Sequence, residues 1–90
     1  MPATKLKKSY FVYLLCCADN SVYTGITTDL KRRLKEHKNK TGARYTRAKG
    51  AINIMYTEKY PNRSRALTRE IEIKSWPRTK KLKLIQSRPY

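Results

Sequence analysis

The fold of this 90-residue chain is decided by the stretch YFVYLLCCADNSVYT, which runs from Tyr10 to Thr24. The aromatic and branched residues up to Cys17 are typical of a β-strand, and a second such run begins at Val22. The residues between the two runs, Ala18-Asp19-Asn20-Ser21, are of the types that form turns. The stretch therefore predicts a β-hairpin.

The length of the hairpin loop decides which side chains share a face of the sheet. A two-residue loop at Asp19-Asn20 would pair Cys16 with Tyr23 and put Tyr13 and Tyr23 on opposite faces. A three-residue loop with Asn20 in the left-handed conformation would put both phenols on one face. Both registers stay open at the level of the sequence.

A first helix is predicted directly after the hairpin. Thr27 or Thr28 can cap this helix, and Asp29 begins it with a carboxylate that suits the positive helix N-terminus. The helix is expected to end near Lys38. At the 3.6-residue period its inward stripe consists of Leu30, Arg33, Leu34 and His37, which places a cation and an imidazole at the edge of an apolar seam.

The second half of the chain predicts a third strand. Residues 51–60 alternate between apolar and polar side chains, as a half-buried strand does. The alternation puts Ile52, Ile54 and Tyr56 on the inward face, and Pro61-Asn62 ends the strand.

Two more helices are predicted after this strand. Ser64 is expected to cap the first of them, which extends to about Ser75. Trp76-Pro77 interrupts the helical pattern, because the residue before a proline is pushed out of the helical region. Pro77 can then open a last helix. The side chains expected to face inward are Leu67, Ile71 and Ile73 in the first helix and Leu82, Leu84 and Ile85 in the second.

This order of elements predicts a small α/β domain of the α+β kind, in which helices flank an antiparallel sheet. Ninety residues are enough for one domain and one modest core. We therefore expect a single domain over residues 1–90, with residues 1–8 as a flexible basic N-terminus.

The charge of the chain favours a polyanionic partner. Twenty-two Lys and Arg residues against six Asp and Glu give a net charge of +16. Nucleic acid is the expected partner, because each neutralised phosphate releases counterions. Solubility alone is the simpler alternative, and an anionic membrane surface is a weaker one. No apolar run approaches the roughly 20 residues of a membrane-spanning helix.

The cysteine and histidine content limits the site chemistry. Cys16 and Cys17 are adjacent and the chain has no third cysteine, so no disulfide partner and no CxxC metal site can be drawn. A reducing cytoplasm is the compartment that this pattern favours. With one histidine in the chain, a zinc site would need ligands that the sequence does not offer.

Few residues can contribute to phosphodiester chemistry. Glu70 is the candidate metal ligand because it lies on an apolar-faced helix, although it could simply pair with Lys74 four residues later. Arg33 and His37, one turn apart, could face a phosphate or could lie on a solvated helix face. A basic stretch with one aromatic could follow a nucleic-acid backbone or form a solvated loop; it comprises Lys40, Arg44, Tyr45, Arg47 and Lys49.

Taken together, these positions resemble the GIY-YIG nuclease pattern. The first triplet corresponds to Phe11-Val12-Tyr13 and the second to Tyr23-Thr24-Gly25. They are followed by Arg33 and His37 within RRLKEH, and by Glu70 within TREI. The resemblance covers nearly the whole chain and is strongest to the short stand-alone bacterial members, which are an uncharacterised GIY-YIG family.

The resemblance implies a GIY-YIG endonuclease-like fold with a three-stranded antiparallel sheet. It also implies a nuclease that cleaves DNA, or RNA as the less expected substrate, with DNA repair or recombination as a candidate setting. Mg²⁺ or Mn²⁺ would be the cofactor and Glu70 its ligand. The implied catalytic residues are Tyr13, Tyr23, Arg33, His37 and Glu70, and the implied nucleic-acid contacts are Gly25, Lys40, Arg44, Tyr45, Arg47, Lys49 and Lys74.

The chain departs from the family pattern at three points. Phe11-Val12 replaces Gly-Ile in the first triplet, and Thr24 replaces the middle Ile of the second. The asparagine that larger members carry late in the domain has no counterpart, since no Asn follows Asn62. The alternative function is therefore a basic nucleic-acid-binding module without catalysis. The sequence specifies no oligomeric state.

Overall fold

A three-stranded antiparallel sheet with helices on both of its faces forms the centre of the molecule. The computed structural model describes residues 9–39 and 49–87, so the basic segment 1–8 lies outside the described residues. The elements are β1 Tyr10–Cys17, β2 Val22–Thr27, α1 Leu30–Lys38, β3 Ala51–Tyr60, α2 Arg63–Lys74 and α3 Arg78–Ser87. The strand order is β2-β1-β3, which confirms the predicted α+β architecture. Within the described ranges, no helix combines the length and the apolar character that crossing a membrane requires.

The hairpin between β1 and β2 adopts the register with three loop residues. Cys16 lies opposite Val22 and Tyr13 lies opposite Gly25. Asn20 has a φ angle of 70°, the left-handed conformation that asparagine tolerates better than most residues. As a consequence, Tyr13 and Tyr23 share one face of the sheet.

Each face of the sheet carries its own apolar cluster. On one face, α1 covers a cluster that contains Tyr13, Leu15, Cys17 and Ile54, with Leu30 and Leu34 packed against it. The opposite face is covered by α2 and α3. Its cluster contains Val12, Leu14, Val22, Tyr56, Ala66 and Ile73, with Leu82, Leu84 and Ile85 packed against it, as predicted for the last helix.

The pairing of β3 with β1 is interrupted by a β-bulge at Met55. Leu14 lies opposite Tyr56, but the next residue, Leu15, lies opposite Ile54. Met55 is therefore the extra residue, and the strand changes face at this point. Ile54 belongs to the cluster under α1, whereas Tyr56 belongs to the cluster on the other face.

A second irregularity in β3 makes Ile52 an extra residue. Cys16 lies opposite Asn53, and Cys17 lies opposite Ala51. Ile52 is 53% exposed as a result. The prediction that Ile52, Ile54 and Tyr56 share one buried face was wrong. Each bulge adds a residue to β3 and so reverses the face on which the following side chains lie.

Helix α1 is capped by Asp29, not by Thr27 or Thr28 as predicted. The Asp29 carboxylate accepts a hydrogen bond from the backbone N–H of Arg32 at 3.0 Å. Thr27 still contributes, because its hydroxyl accepts a hydrogen bond from the Asp29 backbone N–H at 3.1 Å. Together these two bonds set the angle at which α1 leaves the hairpin.

Helix α2 begins two residues earlier than the predicted cap would allow. Asn62 is its N-cap and accepts a hydrogen bond from Arg65 N at 2.9 Å, so the prediction of Ser64 was wrong. Ile73 is buried as predicted, but Ile71 is 59% exposed. The buried stripe of α2 consists of Ala66, Glu70 and Ile73, and Ile71 points away from it.

Candidate active site

The Tyr13 side chain lies at the centre of a polar cluster on the α1 face of the sheet. Tyr13 is fully buried, and its hydroxyl oxygen lies 2.8 Å from Nε2 of His37. The same oxygen accepts a hydrogen bond of 3.4 Å from Nε of Arg33. The structure thus joins three of the predicted residues through one phenolic oxygen.

The local structure explains why these residues meet. The hairpin register puts Tyr13 and Tyr23 on one face, and the helical period of α1 puts Arg33 and His37 on the stripe that faces them. The ring centroids of Tyr23 and His37 are 5.3 Å apart, and those of Tyr13 and Tyr23 are 6.2 Å apart. Tyr23 is therefore the fourth member of the cluster.

Gly25 provides the space in which the Tyr13 ring lies. A Cβ atom at position 25 would lie 2.5 Å from the Tyr13 hydroxyl oxygen and 3.0 Å from the Tyr23 ring. Such distances are far inside van der Waals contact. Within the described structure Gly25 thus serves the placement of the two phenols.

His37 is buried and not at the edge of the seam where the sequence placed it. It is 1% exposed. Burial, together with the nearby charge of Arg33, lowers the pKa of its imidazole to about 4. The ring is therefore neutral at pH 7, so Nε2 can accept the Tyr13 proton.

The remaining pKa shifts also favour a protonated phenol beside a permanent cation. Burial raises the pKa of Tyr13 to about 12, although the hydrogen bond from Arg33 works in the opposite direction. Burial opposes the charge on Arg33, but its hydrogen bonds with Tyr13 and Glu36 outweigh this effect and raise its pKa. The Arg33 guanidinium is held by the Glu36 carboxylate at 3.0 Å.

Glu70 lies apart from the four clustered residues. It belongs to α2, which packs on the opposite face of the sheet from α1. The side chain is 11% exposed, and its carboxylate accepts a hydrogen bond of 3.4 Å from Nζ of Lys74. The pairing with Lys74 that the sequence offered as the simpler role of Glu70 is therefore present.

Glu70 and the cluster around Tyr13 are linked through residues at the edge of β2. A cavity of about 300 Å³ at this edge is lined by Val22, Tyr23, Thr24, Lys74 and Lys81. Tyr23 belongs both to this cavity and to the cluster with His37, and Lys74 connects the cavity to Glu70. Because β2 is an edge strand, side chains from both faces of the sheet can reach one ligand there.

The donor set of Glu70 is compatible with a hard divalent cation. Among the described residues, no group of three or more His, Cys, Asp or Glu side chains could form a metal cage. Mg²⁺ is commonly bound through one or two carboxylates, with water and substrate phosphate supplying the other ligands. Glu70 offers one carboxylate of this kind, and its partner Lys74 lines the cavity.

Most of the predicted basic stretch cannot be compared with the structure. Lys40, Arg44, Tyr45 and Arg47 lie outside the described residues. Lys49 is described, and its Nζ lies 3.2 Å from the Asp19 carboxylate, with 44% of the side chain exposed. This ion pair connects Lys49 to the hairpin loop.

Sequence reasoning did not single out two residues that line the cavity, Thr24 and Lys81. Thr24 was noted only as a departure from the second triplet. Lys81 could have been found by its spacing, since it lies three and four residues before Leu84 and Ile85, which pack inward. A lysine on an apolar helical stripe is the signal that was overlooked.

Comparison with known proteins agrees with this geometry. The family model described as the GIY-YIG catalytic domain matches residues 9–83. The chain belongs to the GIY-YIG family. GIY-YIG proteins form a nuclease superfamily, and its nucleases generally use a divalent metal.

Several relatives of this GIY-YIG chain are short proteins of similar length. The UPF0213 protein OB0043 of Oceanobacillus iheyensis is 43% identical over 81 residues, which cover 90% of this chain and 94% of the relative. A UPF0213 protein of Staphylococcus aureus strain Mu3 is 44% identical over 80 residues, covering 89% of this chain and 98% of the relative.

Two solution NMR structures resemble the GIY-YIG fold described above. The UPF0213 protein BH0048 of Bacillus halodurans has a TM-score of 0.57 at 40% identity, covering 89% of this chain and 85% of the other. The protein EF2693 of E. faecalis has a TM-score of 0.60 at 39% identity, covering 93% and 90%.

Proposed function

We propose that this GIY-YIG protein is a divalent-metal-dependent endonuclease that hydrolyses phosphodiester bonds of DNA. RNA is the second substrate to test, and DNA repair or recombination is the proposed setting. The observation that carries the proposal is the hydrogen-bonded cluster of Arg33, Tyr13 and His37, which is linked through Tyr23 to a cavity at the edge of β2. Free thiols at Cys16 and Cys17 are compatible with the reducing cytoplasm as its compartment.

Hydrogen-bond direction defines the role of Tyr13. Because Arg33 can only donate, the Tyr13 oxygen accepts its N–H. In the tautomer with Nε2 unprotonated, neutral His37 accepts the Tyr13 proton. Tyr13 is fully buried. We therefore propose that Tyr13 positions Arg33 through their hydrogen bond. His37 would hold the Tyr13 proton and would not contact the substrate.

Tyr23 and Arg33 are the members of the cluster that can face a substrate. Tyr23 is half-buried and is one of the residues that line the cavity. We assign to its hydroxyl the orientation of an attacking water. Arg33 has 27% of its side chain exposed and carries a permanent charge. It would stabilise the negative charge that develops on the phosphate oxygens during attack. Gly25 keeps the two phenols in place for these contacts.

Glu70 would hold the divalent ion. When bound, such an ion supplies positive charge to a phosphate oxygen and to the leaving group. Lys74 now neutralises Glu70, and with 58% of its side chain exposed it can turn outward to a neighbouring phosphate. The proposed nucleic-acid contacts are Gly25, Lys40, Arg44, Tyr45, Arg47, Lys49 and Lys74.

A nucleic-acid-binding module without catalysis is the second candidate function. The observation that favours it is the ion pair between Glu70 and Lys74, because a carboxylate held by a lysine needs no metal. This candidate predicts salt-dependent binding and no metal-dependent product.

The deciding experiment is cleavage of labelled single-stranded, duplex and branched DNA and RNA with Mg²⁺, Mn²⁺ or EDTA. We expect a metal-dependent product from wild type, and a loss of at least about a hundredfold in Glu70→Gln from the missing metal ligand. Glu72→Gln is the matched control, because it removes the same charge from the exposed side of α2.

Equal cleavage by Glu70→Gln and Glu72→Gln would contradict the assignment of Glu70 as the metal ligand. Binding to every substrate without any product would instead support the non-catalytic module. Both variants should melt as one cooperative transition, which shows that a loss of product does not come from unfolding.

A further inference from the structure

The ammonium group of Lys81 is buried without an anionic partner among the described residues. Lys81 is 9% exposed, and its Nζ donates a hydrogen bond of 3.3 Å to the Val22 carbonyl oxygen. Burial lowers the pKa of this ammonium, and the like charge of Lys74 lowers it further. Lysines are almost never fully buried unless they are paired. This lysine therefore has donor capacity that only an added acceptor can satisfy.

The hydroxyl of Thr24 lacks a hydrogen-bond partner among the described residues. Thr24 is 1% exposed, and within the described structure its Oγ1 has no hydrogen-bond partner. A buried polar atom without a partner is unfavourable and rare in native proteins. Thr24 lines the same cavity as Lys81, so one ligand can satisfy both groups.

Donors dominate the polar lining of this cavity. Lys74 and Lys81 contribute two ammonium groups and Thr24 contributes a hydroxyl, which points to an anion as the ligand. The cavity of about 300 Å³ has room for roughly ten waters, enough for a phosphate group.

The position of Lys81 is held by the fold. Nε of Arg78, in the first turn of α3, donates a hydrogen bond of 2.6 Å to the carbonyl oxygen of Asn20 in the hairpin loop. One turn later Lys81 donates to Val22 at the start of β2. These two contacts anchor α3 against the edge strand and keep the ammonium at the start of β2, where Lys81 and Thr24 line the same cavity.

We propose that Lys81, Lys74 and Thr24 form a phosphate-binding subsite that takes a backbone phosphate of the nucleic acid next to the one cleaved. The subsite adjoins the candidate active site, because Tyr23 lines the cavity and its ring contacts His37. The assignment to a neighbouring phosphate rests on the proposed nuclease function, whereas the capture of phosphate does not.

The first test is an NMR titration of the protein with inorganic phosphate in EDTA, so that no metal takes part. We expect saturable shifts of the backbone amides around Thr24, Lys74 and Lys81. Lys81→Met should weaken this binding roughly tenfold or more, because hydrogen bonds to charged groups are the strong ones. Lys83→Met, which removes the same charge from the exposed side of α3, should leave it nearly unchanged.

An equal loss of phosphate affinity in Lys81→Met and Lys83→Met would overturn the proposal, because it would show that the loss comes from the change in net charge and not from the position of Lys81. Thr24→Val gives an independent test that keeps the shape of the side chain. It should weaken phosphate binding several-fold, and unchanged binding would remove Thr24 from the subsite.

Thermal unfolding separates binding from folding. In phosphate-free buffer Lys81→Met should melt at the wild-type temperature or a few degrees higher, because it removes a buried unpaired charge. Added phosphate should raise the melting temperature of the wild type and not of the variant. A variant that melts much lower, with its phosphate response intact, would contradict the proposal.

A final comparison identifies the source of the phosphate. A short DNA strand without terminal phosphates should lose affinity in EDTA when Lys81 is replaced, to the same extent as a 5′-phosphorylated strand. A loss restricted to the 5′-phosphorylated strand would overturn the assignment to a backbone phosphate. Since these assays need no cleavage, their result is independent of the Glu70→Gln result that tests the nuclease.

Discussion

Tyr13 occupies the space that any side chain at position 25 would need. The close approach arises because Tyr13 and Gly25 are register partners in neighbouring strands. Any side chain at position 25 would therefore displace the Tyr13 ring. Arg33 and His37 both bind the hydroxyl of that ring.

Gly25→Ala is expected to lower both stability and cleavage. The new methyl group would overlap the Tyr13 ring, and overpacking of this kind costs about 1–3 kcal/mol. Urea unfolding and the cleavage assay measure the two effects. Combining Gly25→Ala with Tyr13→Leu should recover part of the stability but none of the cleavage. Wild-type cleavage by Gly25→Ala would show that the Tyr13 position is not needed.

Strand β3 shows how two extra residues redistribute an alternating sequence. Ile52 and Met55 are exposed because each is the extra residue of a β-bulge. Ile54 is 2% exposed and packs under α1. The bulge at Met55 thereby places Ile54 and Tyr56 in different apolar clusters, whereas a regular strand would put both on the same face.

Truncation at two isoleucines of β3 tests this difference. Ile54→Ala should lower the free energy of unfolding by about 2–5 kcal/mol, because it leaves a cavity under α1. Ile52→Ala removes the same atoms from an exposed site and should change it by less than about 0.5 kcal/mol. Equal effects in urea unfolding at unchanged m-value would contradict the bulged register.

The stability of the whole molecule depends on pH through two groups with lowered pKa values, the buried His37 and the partly buried Glu58. His37 has a pKa of about 4 in the folded protein and an ordinary value of 6.5. Burial opposes the charge on Glu58, but hydrogen bonds from Arg69, Tyr56 and Tyr60 outweigh it and lower its pKa to about 2, from 4.5. Both groups bind protons more weakly in the folded state, so acid destabilises the fold through each.

The free energy of unfolding should therefore fall in two stages as the pH decreases. Between pH 6.5 and about 4 the unfolded chain takes up the His37 proton first, and between pH 4.5 and about 2 it takes up the Glu58 proton first. Urea unfolding at several pH values measures this dependence. His37→Gln should remove the upper stage and Glu58→Gln the lower one. An unchanged upper stage in His37→Gln would contradict the burial of a neutral imidazole.

Local patterns in the sequence were enough to predict the hairpin, three helices, the third strand and the α+β class. The residues of the candidate cluster were named in advance through the resemblance to the GIY-YIG pattern. The helical period alone put Arg33 and His37 on one stripe, but it did not show that Tyr13 faces them. The exposure of Ile71 and the caps at Asp29 and Asn62 were not predicted. The capping residue is the one whose backbone is still extended and whose side chain accepts a first-turn N–H, and several residue types near a helix start can take that position.

What the sequence by itself determined is therefore the order and type of the elements and the family to which the chain belongs. The tertiary structure alone decided between the two hairpin registers, placed the bulges at Ile52 and Met55, and buried Lys81 beside Thr24. The physical reason is that each of these depends on a partner strand or helix. Local periodicity predicts which residues of one helix or strand share a face. Strand register and side-chain burial depend on the other elements that pack against that face.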